Sequence, residues 1–79
     1  MRRQQPNNRL PTISGKQCID ALIKAGYSIA RQKGSHVIMS KEKAVPLSVP
    51  LHTTLKPGTL KGIIRDAGLS VAEFNALLS

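Results

Sequence analysis

Apolar residues recur at helical spacing in the stretch that follows Ser14. Ser14 and Gln17 are spaced as in a capping box, in which each side chain bonds the free backbone N–H group of the other residue. Gly26 follows the stretch and is a typical helix stop, because glycine adopts the left-handed conformation at little cost. The pattern predicts a helix over residues 15–25, with apolar positions at Cys18, Ile19, Leu22, Ile23 and Ala25.

Two further helices are predicted near the C-terminus. Thr59 is a candidate N-cap for a helix over residues 59–67, which Gly68 ends. Its apolar positions follow the i, i+3, i+4, i+7 pattern at Leu60, Ile63, Ile64 and Ala67. A second capping box, formed by Ser70 and Glu73, opens a short last helix with apolar positions at Val71, Phe74, Leu77 and Leu78.

The middle of the chain changes to the two-residue alternation that is typical of strands. Strands are predicted over residues 27–32, 36–39 and 45–49, with a tight turn at Lys33 and Gly34 between the first two. The order is therefore α-β-β-β-α with a short C-terminal helix. Three antiparallel strands with the helices on one face would bury these apolar stripes, which predicts an α+β fold.

The alternation also predicts which strand residues face the core. In the third strand it places one set of apolar residues on a single face: Val45, Leu47 and Val49. In the second strand the pattern is ambiguous, and we favour Val37 and Met39 facing inward. This choice leaves His36 on the open face or at the rim of the sheet.

Composition restricts the class of partner and the compartment. The chain has 79 residues, a formal net charge of +8 and one cysteine, Cys18. The charge favours a polyanionic partner, either nucleic acid or an acidic protein. A single cysteine forms no internal disulfide and fits a reducing cytoplasm, and no apolar run is long enough to cross a membrane. Residues 1–12 are polar and basic and predict a flexible arm, which leaves residues 13–79 as one domain.

Several short motifs recur together along this domain. They include Ser14-Gly15-Lys16, the run Arg31-Gln32-Lys33-Gly34-Ser35-His36, Pro50-Leu51-His52, and Lys56 followed by Gly58-Thr59-Leu60. In this order and spacing, the sequence from about Ile13 to Leu78 resembles the HicA toxins of type II toxin–antitoxin systems. The resemblance implies a fold like that of the double-stranded-RNA-binding domain. It also implies an mRNA interferase that a HicB-type antitoxin neutralises.

RNA cleavage needs a group that titrates near neutral pH, because a base must take the proton of the 2′-OH that attacks the adjacent phosphorus. His36 is the candidate, since Gly34 lets a phosphate approach, Ser35 offers a hydroxyl donor, and Arg31 and Lys33 add positive potential. A histidine at the start of a strand is also often structural. The resemblance favours the catalytic role for His36.

Other candidates are auxiliary. His52 could complete an acid/base pair, cap the helix region at Thr59, hold its loop by hydrogen bonds or position RNA, and Ser35 could assist at the phosphate. Lys16 and Lys56 lie near predicted helix starts, where phosphate binds favourably, and Lys61 lies on an exposed helix face; an ordinary solvated surface is the alternative for each. No cofactor and no metal site are expected, because no Cys, His, Asp and Glu residues are spaced as ligands. The competing functions are a non-catalytic RNA-binding module and an interaction protein with an acidic partner.

Overall fold

The computed structural model describes residues 8–78, which form three helices and three strands. In chain order these are α1 (Gly15–Lys24), β1 (Ser28–Lys33), β2 (His36–Ser40), β3 (Leu47–Pro50), α2 (Pro57–Asp66) and α3 (Val71–Leu77). The strands form one antiparallel sheet in the order β1-β2-β3. The predicted α+β fold and the order of its elements are confirmed.

Both predicted capping boxes open their helices. At α1, the Gln17 backbone N–H donates to Ser14 Oγ at 3.1 Å, and the Ser14 backbone N–H donates to Gln17 Oε1 at 3.0 Å. Ser70 and Glu73 make the same reciprocal pair at α3. Gly26 follows α1 with a φ of +101°, so the predicted helix stop is also confirmed.

The start of α2 differs from the prediction. The helix begins at Pro57 with Lys56 as its N-cap, two residues before the predicted start at Thr59, and the N-cap makes no side-chain hydrogen bond. Proline suits the first helical position because its φ is already helical and the N–H that it lacks would be unpaired there. Capping by Thr59 is therefore wrong, since proline starts the helix without a capping side chain.

The core lies between the helices and one face of the sheet. Val37 pairs with Val49 and Met39 with Leu47, and all four side chains are buried. The helices cover them with the fully buried Leu22, Leu60 and Phe74, among others. The inward orientation of Val37 and Met39 is thus confirmed, and the helices lie on this face as predicted. We call it the covered face.

The third strand begins two residues later, and ends one residue later, than predicted. Residues 45–49 were predicted, but β3 runs from Leu47 to Pro50, and Val45 is 69 % exposed in the preceding loop. Val45 therefore does not share the buried face of Leu47 and Val49. The apolar alternation already includes Val45, although the strand begins only at Leu47. Pro46 lacks the backbone N–H that hydrogen bonding to a neighbouring strand would need.

The first strand contains a β-bulge at Ala30. Ile29 pairs with Met39, whereas Arg31 pairs with Ile38, so Ala30 has no partner of its own. In a regular strand Ile29, Arg31 and Lys33 would share a face, because side chains alternate with a period of two. The bulge separates them: Ile29 shares the face of Met39, and Arg31 the face of Ile38.

The predicted basic arm over residues 1–12 falls partly outside the described residues. Within them, the Asn75 side chain donates from Nδ2 to the backbone oxygen of Arg9 at 2.9 Å. Leu10 packs against the core. The segment after residue 7 thus contacts α3. That residues 1–12 form a flexible basic arm stays a prediction.

Candidate active site

The hairpin between β1 and β2 places His36 at the end of the sheet. Lys33 pairs directly with His36, so the connecting turn has two residues, Gly34 and Ser35. Gly34 has a φ of +62°, the conformation that a type II′ hairpin turn requires at its first position. The whole turn and His36 are exposed to solvent. His36 is thus presented by a short turn of fixed geometry.

The loop that carries His52 is tied to this turn and to the start of α1. The Leu51 backbone N–H donates to the backbone oxygen of Ser35 at 2.7 Å, and the Gly15 backbone N–H donates to the backbone oxygen of His52 at 2.9 Å. A third bond, from the Leu55 N–H to the Ile13 oxygen at 2.8 Å, holds the far end of the loop. The two histidine segments and the α1 N-terminus therefore meet at one end of the sheet.

Glycine is needed at position 15 for this meeting. A Cβ atom at Gly15 would overlap the backbone oxygen of Pro50 and lie 3.1 Å from the Cα atom of Leu51. The helix start and the loop approach this closely only because the side chain is a hydrogen atom. Gly15 thus belongs to the structure of the site although it offers no chemical group.

Four of the predicted cationic residues form two sets, one on the strand β1 and one at the starts of the helices α1 and α2. Arg31 and Lys33 lie on β1 as exposed residues, and Lys33 is the direct partner of His36. Lys16 is in the first turn of α1, near the His52 loop, and its Nζ atom lies 3.2 Å from Asp20 Oδ2 in an exposed ion pair. Lys56 follows Leu55 as the exposed N-cap of α2.

Lys61 is not part of this convergence. It lines a groove of about 470 Å³ between α2 and α3, together with Gly58, Gly62, Ile64, Arg65, Leu69, Ser70 and Val71. The groove contains neither histidine and no residue of the hairpin turn. If Lys61 contacts RNA, it does so on a different surface from Arg31 and Lys33.

Cys18 is a core residue and not a candidate nucleophile. Cys18 is fully buried, and burial raises the pKa of its thiol to about 12, because the thiolate would lose its hydration.

Among residues 8–78, no three His, Cys, Asp or Glu side chains are grouped to hold a metal ion. No helix in the same range is long and apolar enough to cross a membrane.

Two residues beside His36 were missed in the sequence. Ile38 lies two positions after His36 on β2. It pairs with Arg31 of β1 and with Ser48 of β3. The signal was available, because a two-residue turn between Lys33 and His36 fixes the pairing of the residues that precede and follow it. The predicted third strand starts two residues too early, and the sequence does not show that Ser48 pairs with Ile38.

Residues 15–69 match the family model described as the HicA toxin of bacterial toxin–antitoxin systems. The chain belongs to the HicA toxin family. Among solved structures, a chain of a toxin–antitoxin complex from Streptococcus pneumoniae has a TM-score of 0.66 and 34% identity to this chain, and the match covers 72% of this chain and 98% of that chain. A search of curated proteins finds no match. The resemblance to HicA toxins is therefore confirmed, and the HicA match includes both histidines and the hairpin turn.

Proposed function

We propose that this HicA-family toxin is a metal-independent endoribonuclease that cleaves mRNA in the cytoplasm and thereby inhibits translation. The observation that supports this function best is the hydrogen bond from Leu51 to Ser35. It joins the residues that directly precede His52 and His36. Two imidazoles on neighbouring backbone segments form a reasonable acid/base pair for phosphodiester cleavage.

The proposed reaction uses the nucleophile that RNA itself carries. His36 takes the proton of a 2′-OH, the 2′ oxygen attacks the adjacent phosphorus, and the bond from phosphorus to the 5′ oxygen breaks. The products are a 2′,3′-cyclic phosphate and a 5′-OH, whose proton comes from a second acid. His52 is the candidate for that acid. No metal is needed to generate the nucleophile, and no cofactor takes part.

The turn supports the charge that develops on the phosphate. The Ser35 hydroxyl is exposed beside His36 and offers a hydrogen bond to a phosphate oxygen. Gly34 has open space where a side chain would stand, so the RNA backbone has room to approach. Lys33, as the direct partner of His36, supplies positive charge at the same place.

RNA binding is proposed to extend to the helix starts. Lys56 is the N-cap of α2, and the first backbone N–H groups of that helix have no capping side chain. These groups and the helix dipole favour a phosphate. Lys16 at α1 and Lys61 on α2 would add contacts farther from the cleaved bond, as would Arg31 on β1.

A HicB-type antitoxin is the proposed protein partner. The structural neighbour belongs to a toxin–antitoxin complex, and the net charge of +8 suits an acidic inhibitor that associates rapidly. Covering the turn around His36 would block RNA. Hydrogen exchange of the complex should then show protection of residues 31–40, whereas protection elsewhere with none in this segment would contradict occlusion.

The deciding experiment incubates the purified protein with RNA in EDTA. Wild type should cleave and leave cyclic or 3′-phosphate ends, and His36→Ala should lose activity by roughly 10²–10⁴-fold, the usual contribution of one acid–base group. Ser40→Ala, at the other end of β2, is the matched control and should cleave like wild type. Cleavage by folded His36→Ala at the wild-type rate would refute the assignment and point to His52.

A non-catalytic RNA-binding module is the alternative function. The basic surface and the fold family suit binding alone, with His36 as one contact. Salt-dependent RNA binding without product formation, in EDTA and with added Mg²⁺, would favour this alternative. The wild-type protein of the experiment above distinguishes the two functions directly.

A further inference from the structure

The face of the sheet opposite the helices carries a compact group of residues around His36. We call these residues the open-face array: Arg31, Lys33, His36, Ile38 and Ser48. Residues directly opposite each other on antiparallel strands share a face. Val37 and Met39 face the helices, so their neighbours His36 and Ile38 face away from them, as do Lys33, Arg31 and Ser48, which pair with these two residues. Pro50, the β3 partner of His36, is buried and is not counted in the array.

The array has an arrangement that suits a strand of nucleic acid. Arg31 and Lys33 are two positions apart on β1, which places their Cα atoms about 7 Å apart along one edge. Each is the cross-strand partner of an array member, Ile38 or His36. The open face thus has a cationic edge next to an apolar and an ionisable residue, with the small hydroxyl of Ser48 on the other side.

Ile38 is the unusual member of this array. It is only partly buried, and it lies on the face that the helices leave open. Both aromatic side chains of the protein, Tyr27 and Phe74, are buried in the core, so no exposed aromatic ring is present for a base to stack on. Within the open-face array, Ile38 is the apolar side chain that a base or a ribose can contact next to the proposed catalytic histidine.

We propose that a single RNA strand crosses the open face of the sheet, with phosphates on Arg31 and Lys33 and a base or ribose on Ile38. The inference rests on the proposed function for the cleavage step at His36, but the path of the strand is a claim about binding. It assigns Ile38 and Ser48 as substrate-positioning residues. It also separates this surface from the lysines of α1 and α2.

The array fits a single strand better than a duplex. An A-form duplex presents phosphates and 2′-hydroxyl groups to a protein and keeps its bases stacked inside. It therefore offers no exposed base face for an isoleucine side chain to contact. A single strand exposes base faces and ribose edges that an apolar side chain can contact. A protein partner would also bury Ile38, but the two cations on the adjacent edge favour the polyanion.

The test measures binding separately from cleavage. A fluorescent single-stranded RNA made of 2′-O-methyl nucleotides has no 2′-OH to attack, so it reports affinity even if the protein is not a nuclease. Arg31→Gln and Ile38→Thr are the test variants, and Ile38→Thr retains the β-branched shape that suits a strand. Lys24→Gln, at the far end of α1, and Ile29→Thr, on the other face of the sheet, are their matched controls.

Ile38→Thr should weaken binding about four-fold, the effect of losing roughly one buried methylene. Arg31→Gln should weaken it further and reduce the slope of log affinity against log salt by about 0.7, as expected for one phosphate contact with a single strand. The controls should stay within two-fold of wild type. On unmodified RNA, Ile38→Thr should raise KM more than it lowers kcat, which loss of folding would not produce.

A charge-conserving exchange tests the face itself. Gln32 pairs with Val37 and therefore lies on the opposite face from Arg31. The double variant R31Q/Q32R keeps composition and net charge but moves the cation across the sheet. It should bind as weakly as Arg31→Gln. Wild-type affinity in this double variant would show that only net charge matters and would overturn the proposal.

The two proposals fail in different ways. If His36→Ala loses cleavage but Ile38→Thr and Arg31→Gln bind like their controls, the strand does not cross the open face, and that face is left to the antitoxin. If wild type binds as described but never cleaves, the path holds and the nuclease assignment fails. Equal affinity for duplex and single-stranded RNA would also count against the proposed path.

Discussion

The two faces of the sheet use the strands β2 and β3 for different purposes. The covered face consists of Val37, Met39, Leu47 and Val49, all of which are buried beneath the helices. The open face carries His36, Ile38 and Ser48 in the same strands, one position away in each case. Because neighbouring residues point to opposite faces, a strand can hold the fold with one residue and present chemistry with the next.

This division lets a chain of 79 residues carry polar and ionisable side chains on its sheet without placing them in its core. A small domain has few core residues to spare, so each covered-face side chain contributes strongly to stability. The residues on the other side are exposed or partly buried and contribute little. Substitutions on the two faces should therefore have separable effects, one on folding and one on RNA.

The largest effect is expected from a charge on the covered face. Met39 is fully buried, and Met39→Asp would leave a carboxylate without a partner in the core. Such substitutions cost more than about 4 kcal/mol, out of a total stability of about 4–12 kcal/mol for a domain of this size. Circular dichroism at 25 °C should show a largely unfolded protein.

The control for this prediction is the adjacent residue. Ile38→Asp places the same charge on the open face, where water can reach it, and should retain the circular dichroism spectrum and a cooperative melt. Equal loss of structure in both variants would show that the two faces are not distinct in stability.

A smaller effect is expected where the covered side meets the site. Gly15→Ala would push the Pro50–Leu51 backbone away from α1 and should cost about 1–3 kcal/mol, the usual range for added volume at a packed position. Cleavage should fall as well, because His52 follows this segment. The melting temperature and the cleavage rate measure the two effects.

Gly62→Ala is the matched substitution for this test. Gly62 lies in the interior of α2, and a Cβ atom there would meet only the flexible end of Arg65 at 3.9 Å. Alanine should stabilise this helix by about 0.5–1 kcal/mol and leave cleavage unchanged. A Gly15→Ala protein that melts and cleaves like wild type would show that the loop can move without harm.

The smallest effect concerns alkaline pH and the core beneath the covered face. Burial raises the pKa of Cys18 from its ordinary 9.0 to about 12, so the unfolded chain loses this proton first. The stabilising difference is intact below pH 9 and is lost as pH rises from 9 towards 12. At pH 10 the loss is about 1.4 kcal/mol from this group.

Denaturant unfolding at several pH values measures this loss. Cys18→Ala removes the titrating group, so its stability should fall less steeply between pH 9 and 10 than that of wild type. All residues other than position 18 are the same in the two proteins, so their contributions cancel in the comparison. Parallel slopes for the two proteins would show that the thiol ionises equally in the folded and unfolded chains.

The sequence predicts the covered face well and the open face poorly. Capping boxes at Ser14 and Ser70 fix two helix starts because they are local patterns. Alternation in the second strand is ambiguous, and the structure confirms the favoured inward orientation of Val37 and Met39. The turn between the first two strands is predicted at Lys33 and Gly34, but Lys33 belongs to β1 and the turn consists of Gly34 and Ser35. The start of β3 was misplaced because Val45 continues an apolar alternation that local sequence cannot tell from a paired strand.

The open-face neighbours of His36 depend on pairing between strands rather than on pattern within one strand. Ile38 reads as one more apolar residue, and nothing in its own strand shows that Arg31 and Ser48 flank it. The bulge at Ala30 adds a further difficulty, since no residue type in that stretch indicates where alternation breaks. The pairing register supplies what periodicity omits.

The bulge at Ala30 also determines how this segment should be compared with relatives of other lengths. Deleting Ala30 would bring Ile29 directly before Arg31, and the two would then alternate regularly with the same partners that they have now. A one-residue gap at this position in an alignment would leave both faces intact. A gap within the Gly34–Ser35 turn would instead change the partner of every residue in β1, so only the second kind of length difference should separate active from inactive relatives.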